Sequence, residues 1–508
     1  MAAKKSVYGS FPAQLINLNG NEAEDWKAIR EATQGRLTHW GEKLLQEGLG
    51  EYVKSVLVEP LYICRDYRDL FSHFYSKKFL ERSSYCSRLH FFGQADLTVD
   101  DIVLDPETNR QHYLGYSIVE PVRERSIGRT MLDPLKLGYG GNGFFCLRTK
   151  ARVHILGADY EVLGFPYRSQ SAEATVCAHA ALWCACRYLS EKYSSYKELH
   201  PYDLIKMTGD NNGRRVPYRG MTYADYSTIF SEFGCHPAIL RPRGTEKSPG
   251  GLRDWSRDPE TFYDLYAYME SGFPILASFG GHVVNIIGHT LSDTIMPKHE
   301  PKEGFYNSAA FLAEYVVVDD NFFPYQRLAY QGGHQYYPDG AYSTPPVIDS
   351  VFAAVVPLPE KAYLRPADAR CMAYAFLNND TIRDFVEETR RELGVAGGPL
   401  VARQLLTSST AFKRQKLECF RNQNDQLLTY PINLCLPHFV WITEISAVDL
   451  YGDRHCMGEV VLDATAGPPE LEVVYARIGR YLVAGGQYQK MSNAHLSYPQ
   501  YTHNLGKG

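Results

Sequence analysis

The sequence predicts an α+β protein built from more than one domain. Apolar residues recur at helical spacing in some segments and form short alternating or continuous runs in others. Helix-like segments end at glycines, and strand-like runs are bounded by Gly and Pro. At 508 residues the chain exceeds one compact core, and a length prior gives about three domains. Hydrophobic content of 44% with 22% charge is that of an ordinary globular protein. Composition and punctuation divide the chain into residues 1–160, 161–358 and 359–508.

In the first region, Glu22 to Gln34 and Leu37 to Leu57 read as amphipathic helices. Arg88 to Phe92, His112 to Val119, Phe144 to Leu147 and Arg152 to Leu156 read as strands, punctuated by Pro121 and the glycines from Gly138 to Gly143. Those glycines do not follow a strand and open a helix, as a phosphate loop requires. The runs 112–121 and 127–130 carry no recognisable chemistry. A mixed α/β domain lying against its neighbour is expected.

In the middle region, Thr175 to Tyr193 reads as a helix with Thr175 as N-cap. Tyr223 to Phe233 is capped by Thr222 and stopped by Gly234, and Pro259 to Ser271 is closed by Gly272. Pro274 to Phe279 and His282 to Gly288 are apolar strands around Gly280-Gly281, the signature of a tight hairpin. Glu314 to Val318 and Val347 to Val356 add strands. A helix against an antiparallel sheet is an α+β arrangement. Residues 241–258 and 290–313 are long insertions that suit lids or decoration.

The last region opens after Pro357-Leu358-Pro359. Ala367 to Leu377, Thr381 to Leu393 (capped by Asp380, ended by Gly394) and a third segment from about Val401 read as helices. Val440 to Val448 and Gly458 to Ala464 read as a hairpin around Tyr451-Gly452-Asp453. Glu444, Glu459 and Asp463 cluster on it, as either a second acidic site or a solvated face. The last twenty or so residues are polar and expected to be poorly ordered.

The chemistry concentrates in three pieces of the middle region. Cys177 opens an Ala-rich apolar helix, where the unpaired N–H groups favour a thiolate. His282 opens a hydrophobic strand and can hold the proton that a thiol loses. Tyr315-Val316-Val317-Val318-Asp319-Asp320-Asn321 ends a strand in carboxylates that can fix the tautomer of a histidine. Gln170, upstream, can pair its amide N–H with the Cys177 backbone N–H as oxyanion donors. His179 and His289 sit at positions suited to packing or the surface.

This order (Gln, a helix-start Cys, His-Val-Val with a Gly six residues after the His, and an acidic strand end) resembles the papain-like cysteine peptidases. Within them it is nearest the bacteriocin-leader-processing branch. The resemblance covers the middle of the chain. It implies a papain-like helix-plus-antiparallel-sheet core flanked by N- and C-terminal α/β domains. The implied catalytic residues are Cys177, His282, Asp320 and Gln170, with Asp319 the alternative to Asp320. Six residues separate Gln170 from Cys177 where the family has five, and Ala178 stands where it often has Gly.

Other classes are disfavoured. A net charge of -5 without a long charged run points to neither nucleic acid nor a membrane surface as a partner. Eleven scattered cysteines and no secretory leader suit a reducing cytoplasm. The sixteen histidines form no zinc signature, so neither metal nor cofactor is expected. Thirty-seven tyrosines suit wide contact surfaces. The expected function is a cytoplasmic cysteine peptidase or isopeptidase acting on a protein or peptide. The alternatives are an acyl-transferase or transglutaminase-like enzyme on the same scaffold, and a catalytically inactive interaction protein.

Overall fold

The computed structural model describes residues 12–507 apart from 141–142, 172, 209–219, 242–257, 280–281, 292–295, 330–352, 396, 424–425, 468–471, 503 and 505. Helices and predominantly antiparallel strands make it an α+β structure. Among the described residues, three large sheets succeed one another along the chain.

The N-terminal sheet is a five-stranded meander of Gln14–Asn17, Ser55–Tyr62, Cys86–Phe92, Tyr113–Val119 and Ile127–Leu132. The helices Glu22–Ala32 and His39–Leu49 lie between its first two strands. The expected helix through Leu57 stops instead at Gly50, whose φ of +47° few other residues adopt. Val56, Leu57 and Val58 beyond it form the middle of a buried strand, which β-branched side chains favour. Ile127–Leu132, given no element in the sequence reading, is the last strand; it is buried on both faces and therefore shows no alternation. The hairpin of Thr149–Ile155 and Ala158–Gly164 turns through Leu156 and Gly157, both at positive φ. Its apolar face joins the core of the first region, whereas Phe144–Cys146 pairs with the His282 strand of the middle sheet. The chain thus crosses the expected boundary near 160 in both directions.

The middle sheet runs Gln326–Ala329, Leu312–Val318, His282–Leu291, Ile275–Phe279, Ala353–Leu358, His236–Leu240, with Phe144–Cys146 attached to the His282 strand and Gly506–Lys507 to Phe144–Cys146. One face packs on the helices Cys177–Lys192 and Tyr223–Phe233, the other on Pro259–Glu270. Thr222 caps the second helix and Gly234 ends it at φ +101°, as the sequence indicates. Gly288 is required for closeness: a Cβ there would lie 2.0 Å from the Phe145 carbonyl oxygen. The expected Gly280-Gly281 turn lies outside the described residues, but Phe279 pairs with His282 across it. So do 330–352, which hold the start of the expected Val347 strand, and 242–257 of the first insertion. The second insertion is a bridge, because Phe305–Asn307 pairs in parallel with Leu400–Ser408.

The C-terminal sheet orders Phe305–Asn307, Leu400–Ser408, Phe439–Ser446, Gly458–Asp463, Val473–Ile478, Tyr481–Ala484 and Gln487–Lys490. Leu400–Ser408, expected as helix, is a central strand; its apolar residues Val401, Ala402, Leu405 and Leu406 recur at helical spacing, which the pairing with Phe439–Ser446 overrides. The helix Asp380–Leu393 is capped by Asn379, not Asp380, and ends at Gly394. The tail is ordered rather than loose: Tyr498 and Tyr501 are buried, and the Tyr501 N–H donates to Glu444 at 2.7 Å.

Candidate active site

The chain before the Cys177 helix is tied to itself. The Ser171 hydroxyl accepts from the backbone N–H groups of Ala174 and Thr175, and the Thr175 hydroxyl accepts from the Ser171 N–H. Thr175 is consumed in that turn, so the N-cap is Val176 and Cys177 is the first helical residue. The Val176 N–H is satisfied by Nδ1 of His179 at 3.3 Å. His179 is buried, and burial followed by the nearby Arg168 charge lowers its pKa to about 3, which keeps it a neutral acceptor. Cys177, by contrast, is partly exposed at the positive end of the helix.

His282 faces that sulfur. Its imidazole hydrogen-bonds both the Cys177 thiol and Asp319, with Nε2 3.0 Å from Asp319 Oδ1. Nε2 also lies 3.4 Å from Nδ2 of Asn321. Burial opposes a charge on this ring. The hydrogen bonds with Asp319 and Cys177 and the charges of Asp319 and Asp320 outweigh it and raise the pKa to about 11. Helix and strand are locked one turn below the site, where the buried Asn285 amide donates to the Ala181 carbonyl at 2.9 Å.

Of the two carboxylates that the sequence leaves open, Asp319 is the one hydrogen-bonded to the imidazole. Asn285 pairs with Val318, and side chains alternate along each strand. Val284, Ile286, Tyr315 and Val317 share one face and Val283, Ile287, Val316 and Val318 the other. The strand ends at Val318; beyond it Asp319 hydrogen-bonds the imidazole, and Asp320 offers a carboxylate oxygen within 4.8 Å of both. Asp319 Oδ1 also accepts the Asn321 N–H at 2.9 Å, which fixes its rotamer.

Asp320 is buried, and burial and then the Asp319 charge push its pKa up to about 7, against the opposing pull of His282, Arg125 and the Gln170 backbone N–H. Gln170 therefore enters the site through its main chain, beside Asp320. Two residues went unnoticed in the sequence. Asn321 stood in the quoted strand-end segment without a role. Arg125, from the loop before Ile127–Leu132, hydrogen-bonds Asn321 Oδ1, lies 3.8 Å from Asp320 and stacks on Trp40; no local signal marks it.

The remaining candidates take structural roles. His289 is buried, 2.7 Å from Glu270 and stacked on Phe145. Glu444 and Glu459 are neither an acidic site nor a solvated face. They pair across strands inside the protein and are neutralised by Arg403 at 2.8 Å and Lys416 at 2.5 Å. Asp463 accepts from the Thr465 N–H. Among the described residues, two sets place potential metal ligands within 4.8 Å of one another: His282, Asp319 and Asp320, and Asp66, Glu198 and His200. Each already holds a counter-cation, Arg125 in the first and Arg129 in the second.

No protein-family model, curated protein or solved structure matches this chain. Among the described residues, no helix is long and apolar enough to cross a membrane.

Proposed function

We propose that this protein is a thiol-dependent amide hydrolase, a papain-like cysteine peptidase or isopeptidase, working in a reducing cytoplasm on a protein or peptide. The observation that carries the reading is the hydrogen-bonded chain Cys177–His282–Asp319, with the sulfur at a helix start and partly exposed. Each member has the environment its role needs. Cys177 is partly exposed at a helix start, and Asp319 stabilises the imidazolium.

The sulfur of Cys177 attacks the carbonyl carbon of the scissile amide while His282 holds the proton. The oxyanion that forms is met by the Cys177 backbone N–H and, in this reading, by the side-chain amide of Gln170, whose own backbone N–H is taken by Asp320. His282 then donates its proton to the departing amine, leaving a thioester on Cys177. Water, deprotonated by His282, attacks the thioester and releases the acid and the thiol.

Iodoacetamide modification followed by peptide mapping tests this. Cys177 should react far faster than the other ten thiols, and replacement of His282 by Ala should slow it to their level. Cys177→Ala should abolish both labelling and cleavage. Retention of either activity by Cys177→Ala refutes the assignment.

A further inference from the structure

A cavity of about 740 Å³ begins at Asn321, the residue that approaches the Nε2 edge of His282. One wall comes from the N-terminal region, through Trp40 and Tyr52. The other is the chain that follows Asp320, with Phe323 and Tyr325. The walls meet at Gly48, where a Cβ would lie 2.0 Å from the Phe323 ring. Arg125 joins wall to site, since it stacks on Trp40 and hydrogen-bonds Asn321.

The chemistry of the cavity is apolar with a neutralised rim. Lys43 and Glu47 pair at 3.5 Å, and Arg327 and Glu314 at 3.6 Å, so neither sign of charge is in excess. Aromatic rings dominate the interior, and Tyr52 is 42% exposed and available for contact. The volume falls within the roughly 300–1,000 Å³ of sites that enclose drug-sized ligands, so bulky side chains fit. Its position decides which part of a substrate enters. The acyl half is held at the sulfur, and the leaving half crosses the imidazole that protonates it. Asn321 lines the cavity and lies 3.4 Å from Nε2 of His282, which sets the cavity beside the imidazole.

We propose that this cavity binds the leaving half of a polypeptide substrate and selects bulky apolar or aromatic residues in the first two positions after the cleaved bond. The assignment rests on the thiol-hydrolase reading above. It makes the N-terminal region part of the substrate site.

The test uses the full-length protein, a library of internally quenched peptides randomised on both sides of a central bond, and iodoacetamide labelling of Cys177 in parallel. Cleavage products should be enriched in Phe, Tyr, Trp or Leu just after the cut. Tyr52→Ala should lower kcat/KM for those peptides at least about tenfold, in line with the loss of apolar contact in a specificity pocket. Tyr52→Trp should retain most of it, and neither variant should change the labelling rate. Cleavage without that enrichment, or enrichment indifferent to Tyr52→Ala, overturns the assignment alone. Failure of Cys177 to label, or cleavage of no peptide, overturns the hydrolase reading and this assignment with it.

Discussion

Replacing Asp319 by Asn removes the carboxylate that holds His282 while preserving shape. The rise of the His282 pKa from 6.5 to about 11 corresponds to on the order of 6 kcal/mol in favour of the imidazolium. The hydrogen bond with Asp319 outweighs that with Cys177, and the charge of Asp319 outweighs that of Asp320. Loss of even half that preference lowers the ratio of charged to neutral ring about a hundredfold at a given pH. In the wild type, His282 contributes stability that is complete below about pH 6.5 and is lost as pH rises through about 11, and the imidazolium persists across the neutral range. In Asp319→Asn, the pH at which the ring loses its proton should fall by at least two units, and the advantage of Cys177 in labelling rate over the other thiols should be lost at a correspondingly lower pH. Nitrogen-15 NMR of the His282 ring, assigned by difference from His282→Gln, measures the first; timed iodoacetamide labelling measures the second. Asp320→Asn should leave labelling within a few-fold. An Asp319→Asn protein with an unchanged His282 titration, or an Asp320→Asn protein that alone loses labelling, refutes the assignment of Asp319.

Three further outcomes are expected. Asp320 has a folded pKa of about 7 against an ordinary 3.8, so its ionisation penalises the fold increasingly from about pH 4 and fully above about pH 7. Asp320→Asn should therefore gain stability relative to wild type between pH 5 and pH 8, on the order of 2 to 3 kcal/mol, by calorimetry; a pH-independent difference contradicts this. Asn285→Ala deletes the buried bond to Ala181 and should cost about 1 to 2 kcal/mol in urea unfolding, with slower Cys177 labelling; an effect on stability alone would detach this bond from the site. Arg403 lies 2.6 Å from Glu270 and 2.8 Å from Glu444, so Arg403→Met leaves two buried carboxylates uncompensated and should cost about 3 to 5 kcal/mol. Adding Glu270→Gln and Glu444→Gln should recover much of it, and no recovery would show that packing by Arg403 dominates.

Local signals were legible where they are strong and short-ranged. Thr222, Gly234 and the apolar period between them bound the Tyr223–Phe233 helix to the residue. The positions of Cys177 at a helix start and His282 at a strand start were equally readable. Val401 misled because the polar residues Arg403, Gln404 and Thr407 break the strand alternation of Leu400–Ser408, and they are buried, Arg403 and Thr407 beside distant partners that the sequence does not show. Glu444 and Glu459 misled because carboxylates are ordinarily exposed, and their partners Arg403 and Lys416 lie 41 and 43 residues away in sequence.

Taken alone, the chain specified which residues could begin a helix, end a strand or carry a nucleophile, because capping, period and glycine conformations act within a few positions. Tertiary structure alone decided that Asp319 rather than Asp320 meets His282, since both carboxylates lie beyond the strand end at Val318 and only the hydrogen bond to the imidazole separates them. It also brought Arg125 and Trp40 from the N-terminal region to the rim of the site, because contacts between residues nearly two hundred positions apart form only when the sheets and helices close on one another.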